Sequence, residues 1–117
     1  VSSIVLDASA ALAILQREPG SERLTVELLA ESVISTVNLA EVQTKLVRRG
    51  GSAEQAWMDA LGPAETVVPF TADQARIAGD LVTSTRAMGL SLGDRACLAL
   101  AITLKAPVVR WIAFGET

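Results

Sequence analysis

Three acids stand where a helix is expected to begin. Asp7 follows the β-branched run Ile4 to Leu6, Glu41 lies three residues after Asn38, and Asp94 lies three residues after Ser91. The stretch "LSLGDRACLALAIT" (Leu90 to Thr103) shows the pattern most sharply: a carboxylate opens a helix otherwise built of Ala, Leu, Ile and Cys. Helix N-termini favour the ionised carboxylate. In an open parallel sheet these helix starts lie at the carboxyl ends of strands, where ligands bind. Three anions from distant parts of the chain can therefore converge. Clustered anions repel, and a hard divalent cation relieves that repulsion. Mg²⁺ takes one or two carboxylates, keeps several waters and binds phosphate oxygens. Such an ion lowers the pKa of a bound water and stabilises charge on a phosphodiester.

The chain has no histidine. That excludes His-dependent triads, His-ligated zinc and imidazole acid–base chemistry, and leaves carboxylates, hydroxyls, Lys, Arg or a metal. A second account covers each acid singly. Asp7 is a good N-cap, and Asn38-x-x-Glu41 and Ser91-x-x-Asp94 both resemble capping boxes. Taken one at a time, capping explains each better than metal binding; spacing alone leaves both open.

The elements that must position these acids alternate. "IVL" is a strand, "ASAALAILQRE" a helix stopped by Pro19-Gly20, and "SERLTVELLAE" a second helix. "SVISTV" is a strand, followed after Asn38 by the helix "LAEVQTKLVRR", which Gly50-Gly51 ends. "SAEQAWMDAL" is a short helix, "ETVVPF" a third strand, "TADQARIAGDLVTSTRAMG" a long helix, and "APVVRWIAF" a last strand. Strand–helix alternation implies βαβ units and a mostly parallel sheet. With 117 residues, half of them hydrophobic, the expectation is one domain, residues 1–117, with one aliphatic core.

A net charge of −3 is unlike a protein that coats nucleic acid. Any nucleic-acid contact must use a local basic patch or a bound cation, and an acidic surface suits a basic protein partner. The single cysteine, Cys97, fits a reducing cytoplasm. No apolar run is long enough to span a bilayer, and no basic leader precedes an apolar core. Val1 in first position suggests a lost or trimmed initiator Met.

"IVLDASAALAIL", "ISTVNLAEVQTKLVRRG" and "MGLSLGDRACLALA", in that order, resemble a PIN domain. More narrowly they resemble the toxin ribonuclease of VapBC-type bacterial toxin–antitoxin modules. The "EPGSER" turn, the "VVPF" strand and the helix before "MGLSL" follow the same pattern, so the resemblance covers roughly Ile4 to Val109. It implies a three-layer α/β/α sandwich around a parallel sheet. It implies a Mg²⁺- or Mn²⁺-dependent endoribonuclease cutting RNA of the tRNA or ribosomal class with a metal-activated water. Carried over by position, Asp7 and Asp94 are the main metal ligands and Glu41 completes the acidic pocket. A cognate antitoxin, whose tail fills that pocket, and a homodimer are implied as partners.

The chain departs from the family pattern at its end. A fourth acid usually follows the last buried strand in a "T-A-D" type segment; here Arg110, Trp111 and Ile112 occupy it, and Glu116 is the only acid downstream. "TAD" at Thr71 to Asp73 follows the wrong strand, so Asp73 is read as the acid of its own helix start. The alternatives are a PIN-like binding module that does not cut, a DNA- or flap-directed nuclease of the same architecture, and an acidic α/β protein whose acids only cap. Lys45, Arg48 and Arg49 are read first as a solvated helix end and second as an RNA contact. Arg95 is expected to touch phosphate or pair with an acid, Asn38 to cap rather than orient Glu41, and Cys97 to be inert core. Ser9 is a polar helix-start residue within reach of a metal shell. Trp57 and Met58 are expected to pack in the core or against a partner.

Overall fold

The computed structural model describes residues 3–112. Strand β1 (Ile4–Leu6) leads into helix α1 (Ala8–Leu15), and strand β2 (Ser32–Ser35) into α3 (Thr36–Arg48) and α4 (Ala53–Ala60). Strand β3 (Thr66–Val68) leads into α5 (Ala72–Thr85) and α6 (Leu92–Leu104), and β4 (Val108–Val109) ends the order. The short α2 (Val26–Leu29) precedes β2.

The four strands form one sheet in the order β3-β2-β1-β4, every pairing parallel. Successive side chains of a strand point to opposite faces, and the core divides accordingly. Leu6 and Ile34 pack with Ala10, Leu12, Leu39 and Val42 from α1 and α3. Val5 packs on the other face with Cys97 and Leu100 of α6, beside Val33 and Val68. Helices therefore cover both faces, which makes the three-layer α/β/α sandwich that the family resemblance implied. The chain steps outward from β1 to β2 to β3, then returns to the far side of β1 to add β4. The crevice of such a sheet lies where the order reverses, at the carboxyl ends of β1 and β4. No helix among the described residues is long and apolar enough to cross a membrane.

Several boundaries differ from expectation. The segment expected as one helix from Ser21 is broken into a 3-10 turn (Ser21–Arg23) and α2, because Thr25 turns extended and caps α2 through Leu28 N–H. The long helix expected through Met88 leaves α geometry at Thr85 for a 3-10 turn, and Gly89, at φ 62°, ends it. Glu116 and the end of the expected last strand lie outside the described residues.

Candidate active site

Asp7 follows β1 directly and is the N-cap of α1. Its Oδ1 accepts from Ala10 N–H at 2.9 Å and from Ser9 Oγ at 2.6 Å. Ser9 Oγ in turn accepts from Trp111 N–H at 2.8 Å. The chain just after β4 is thus tied through one hydroxyl to the acid at the end of β1.

Glu41 is not where the sequence put it. Helix α3 begins at Thr36 with Ser35 as its N-cap, so Glu41 sits in the second turn and Asn38 lies inside the helix. Asn38 is therefore no cap. It is 1% exposed, and its Nδ2 donates to Glu41 Oε1 at 2.8 Å and to the Gly93 carbonyl at 3.0 Å. Both acceptors demand an amide nitrogen, which fixes the flip of the side chain and leaves Asn38 Oδ1 buried with no partner among the described residues. Gly93, in the first turn of α6, has no side chain for a reason: a Cβ built there falls inside the Glu41 carboxylate.

Asp94 does belong to a capping box, as its spacing indicated. Asp94 N–H donates to Ser91 Oγ at 3.1 Å, and Ser91 N–H to Asp94 Oδ2 at 3.0 Å. Arg95 neither pairs with an acid nor stands free: its Nη1 donates to the Ala78 carbonyl at 2.9 Å and ties α6 to α5.

Capping and convergence are compatible, because each acid commits one oxygen and keeps one. Among the described residues, Asp7 Oδ2, Glu41 Oε2 and Asp94 Oδ1 accept no hydrogen bond. All three acids line one cavity of about 230 Å³, together with Ser9, Asn38, Lys45, Ser91 and Arg110. Their fields meet on Cys97, whose thiol is pushed from 9.0 up to about 12 by burial first and then by Asp7, Asp94 and Glu41. Cys97 is buried in the core, as expected.

The donor set has a definite limit. Among the described residues no three Asp, Glu or Cys side chains stand close enough to make a ready-formed cation cage. Lys45 and Arg110 line the same cavity, but among the described residues neither comes within ion-pair distance of the three acids; the ion pair present is Arg76–Asp80, on the surface of α5. Carboxylates in no direct ion pair, each with a free oxygen, beside an orphaned buried amide oxygen, fit an ion held by one or two carboxylates with water filling its shell. They do not fit an all-protein cage.

The sequence ranks capping above the orienting of Glu41 for Asn38, and the structure reverses that order. Gly93 as a seat for Glu41 escaped the sequence, since it depends on a contact 55 residues apart in the chain, which no local pattern carries. Arg110 lines the acidic cavity in the segment where the family pattern has its fourth acid. Phe70 lines a neighbouring groove with Glu41 and Lys45; its only signal was aromatic scarcity. Trp57 and Met58, 42% and 62% exposed, are not core.

A parallel α/β/α sandwich with an acidic crevice at its switch point is the architecture of a PIN-type nuclease. The PIN domain family model matches residues 4–111, and the chain belongs to that family. PIN proteins of this class are nucleases that generally need divalent metal ions. Similar solved structures are VapC-type toxins and their complexes, in line with the resemblance read from the sequence. VapC20 of Mycobacterium tuberculosis, a sarcin-ricin-loop-cleaving toxin, is 21% identical, with a TM-score of 0.79, over 98% of this chain and 97% of its own. VapBC2 of Rickettsia felis, solved on a DNA fragment from its promoter, is 26% identical, with a TM-score of 0.68, over 90% and 84%. A toxin–antitoxin complex from Klebsiella pneumoniae is 18% identical, with a TM-score of 0.72, over 91% and 83%. No curated protein matches the chain significantly.

Proposed function

We propose that this protein, as one domain over residues 1–117, is a Mg²⁺- or Mn²⁺-dependent endoribonuclease and the toxin of a toxin–antitoxin pair. The observation that carries the reading is the shared cavity of Asp7, Glu41 and Asp94, each acid with one uncommitted oxygen.

Asp7 and Asp94 would hold the ion, and Glu41 would hold its water shell from the other wall. When bound, the ion supplies Lewis-acid stabilisation of the phosphodiester and a more acidic water. The chain's own groups do the positioning. Ser9 and Ala10 N–H fix Asp7 through Oδ1, leaving Oδ2 toward binding. Asn38 fixes Glu41, and the Ser91 cap fixes Asp94. Arg110 adds a cation on the cavity wall, a donor for a phosphate oxygen.

The partners follow from the same class of relatives and from the surface. Exposed apolar side chains such as Val26 and Met58 support contacts with a cognate antitoxin and with a second copy in a homodimer. The lone buried thiol Cys97 supports a cytoplasmic setting.

An RNA cleavage assay over a Mn²⁺ titration, with tRNA and ribosomal RNA as substrates and DNA alongside, tests the assignment. Wild type should cut RNA in proportion to bound Mn²⁺, and Asp94→Asn should lose at least about 100-fold. Equal background cleavage by both makes the protein a binding module, and preferential DNA cleavage removes the RNA assignment.

A further inference from the structure

The acidic cavity does not end at Glu41. Glu41 and Lys45 also line a larger, open groove of about 650 Å³ that includes Thr44, Arg48 and Phe70. Lys45 and Arg48 are exposed and, among the described residues, pair with no carboxylate. Glu41, Lys45 and Arg48 are spaced by four and three residues, so they share one face of α3. At 1.5 Å per residue, Lys45 lies about 6 Å and Arg48 about 10.5 Å along the axis from Glu41. Positive charge thus leads away from the acids along one line. Phe70, half-buried, lines the same groove from its other end: its backbone N–H donates at 3.0 Å to Thr36 Oγ in the first turn of α3, five residues before Glu41.

We propose that this groove holds the single-stranded segment of RNA next to the scissile phosphate, with Lys45 and Arg48 on backbone phosphates and Phe70 against a base. The proposal rests on the nuclease assignment above. A chain of net charge −3 with an acidic centre repels the rest of a polyanion unless cations flank that centre. Phosphate contacts supply most non-specific affinity for nucleic acid. An aromatic face beside a cationic track is the recurrent platform for unpaired bases. A base in a duplex already has both faces stacked, so Phe70 selects a single strand, a loop or a bulge. The cations also disfavour a basic peptide in the same place, which sets the groove apart from a site for an arginine-bearing tail.

Fluorescence anisotropy tests the proposal, using the full chain carrying Asp94→Asn so that the probe stays intact. The probe is a labelled, unstructured RNA 12-mer, free or annealed to its complement, over a KCl titration. The single strand should bind more tightly than the duplex. Lys45→Ala with Arg48→Ala should weaken binding at least about 10-fold and flatten the salt slope by about 1.4, at 0.7 per lost phosphate contact. Phe70→Leu should weaken it about 5-fold or more with the slope unchanged. Unchanged affinity and slope in the double variant, or a duplex bound as tightly as the single strand, overturns the proposal. So does unaltered RNA binding with loss of a polyglutamate probe, which makes the groove an acidic-peptide site. Wild-type cleavage with Mn²⁺, measured alongside, separates the two assignments. Cleavage with groove-independent binding overturns the groove alone; groove-dependent binding without cleavage overturns the nuclease and keeps an RNA site.

Discussion

Asn38 holds Glu41: one amide nitrogen bridges the Glu41 carboxylate at 2.8 Å and the Gly93 carbonyl at 3.0 Å, joining α3 to the start of α6. The bridge sets where the second wall of the acidic cavity stands relative to Asp94. Asn38→Ala removes both bonds and leaves the Gly93 carbonyl with its helical donor alone. The expected cost is about 2 kcal/mol of stability and a loss of about 10- to 100-fold in cleavage, the usual effect of losing a group that orients a ligand. Urea denaturation and the RNA assay read the two effects. Unchanged cleavage would remove Glu41 from the site.

Gly93→Ala separates stability from activity. Ala is the better helix former by about 1 kcal/mol, but its Cβ would displace the Glu41 carboxylate. The variant should melt within a few degrees of wild type while cleavage falls about 10-fold or more. Thermal unfolding together with initial rates checks this, and a fully active Gly93→Ala would mean that Glu41's position is immaterial.

Ser9→Ala cuts the relay from Trp111 through Ser9 to Asp7. Asp7 keeps Ala10 N–H and its cap, so α1 should persist. The lost hydroxyl should cost about 1–2 kcal/mol and weaken Mn²⁺ binding about 10-fold, because Asp7 is then held by one bond and not two. Mn²⁺ titration monitored by electron paramagnetic resonance reads the affinity.

The Cys97 thiol gives a pH-dependent signature. Burial, then Asp7, Asp94 and Glu41, raise it from 9.0 to about 12 in the folded protein. Below pH 9 the thiol is neutral in both states and contributes nothing to pH dependence. Between about pH 9 and 12 the unfolded thiol ionises and the folded one does not, so the unfolded state binds fewer protons and stability falls as pH rises. Wild type should lose stability through that window more steeply than Cys97→Ala, measured by denaturant midpoints at each pH. At pH 7 the folded thiol should resist a disulfide reagent until the chain is unfolded.

The sheet was legible because its signals are local. Ile4–Leu6 and Thr66–Val68 are largely β-branched runs ended by an acid and by a proline, and the helices between them fix parallel pairing. The capping roles of Asp7 and Asp94 were legible for the same reason: each sits at its own helix start. Glu41 reads as a first-turn capping residue, and it lies in the second turn of α3. Ser35 and Asn38 are both good N-caps in the string "STVN", and only packing against Gly93 decides that the helix starts earlier and buries Asn38. Arg95 misled likewise, since a carbonyl on α5 claims its charge. What the local text hides in each case is a partner more than ten residues away.

Asp7→Asn tests the central claim most directly, because asparagine caps a helix as well as aspartate does and removes only the charge. Isothermal titration with Mn²⁺, on wild type and on Asp7→Asn of matched stability in EDTA, is the measurement. The account predicts Mn²⁺ binding by wild type and at least a 10-fold loss in the variant. Equal affinity in both, or no binding by wild type, would contradict it and leave the acids as caps alone.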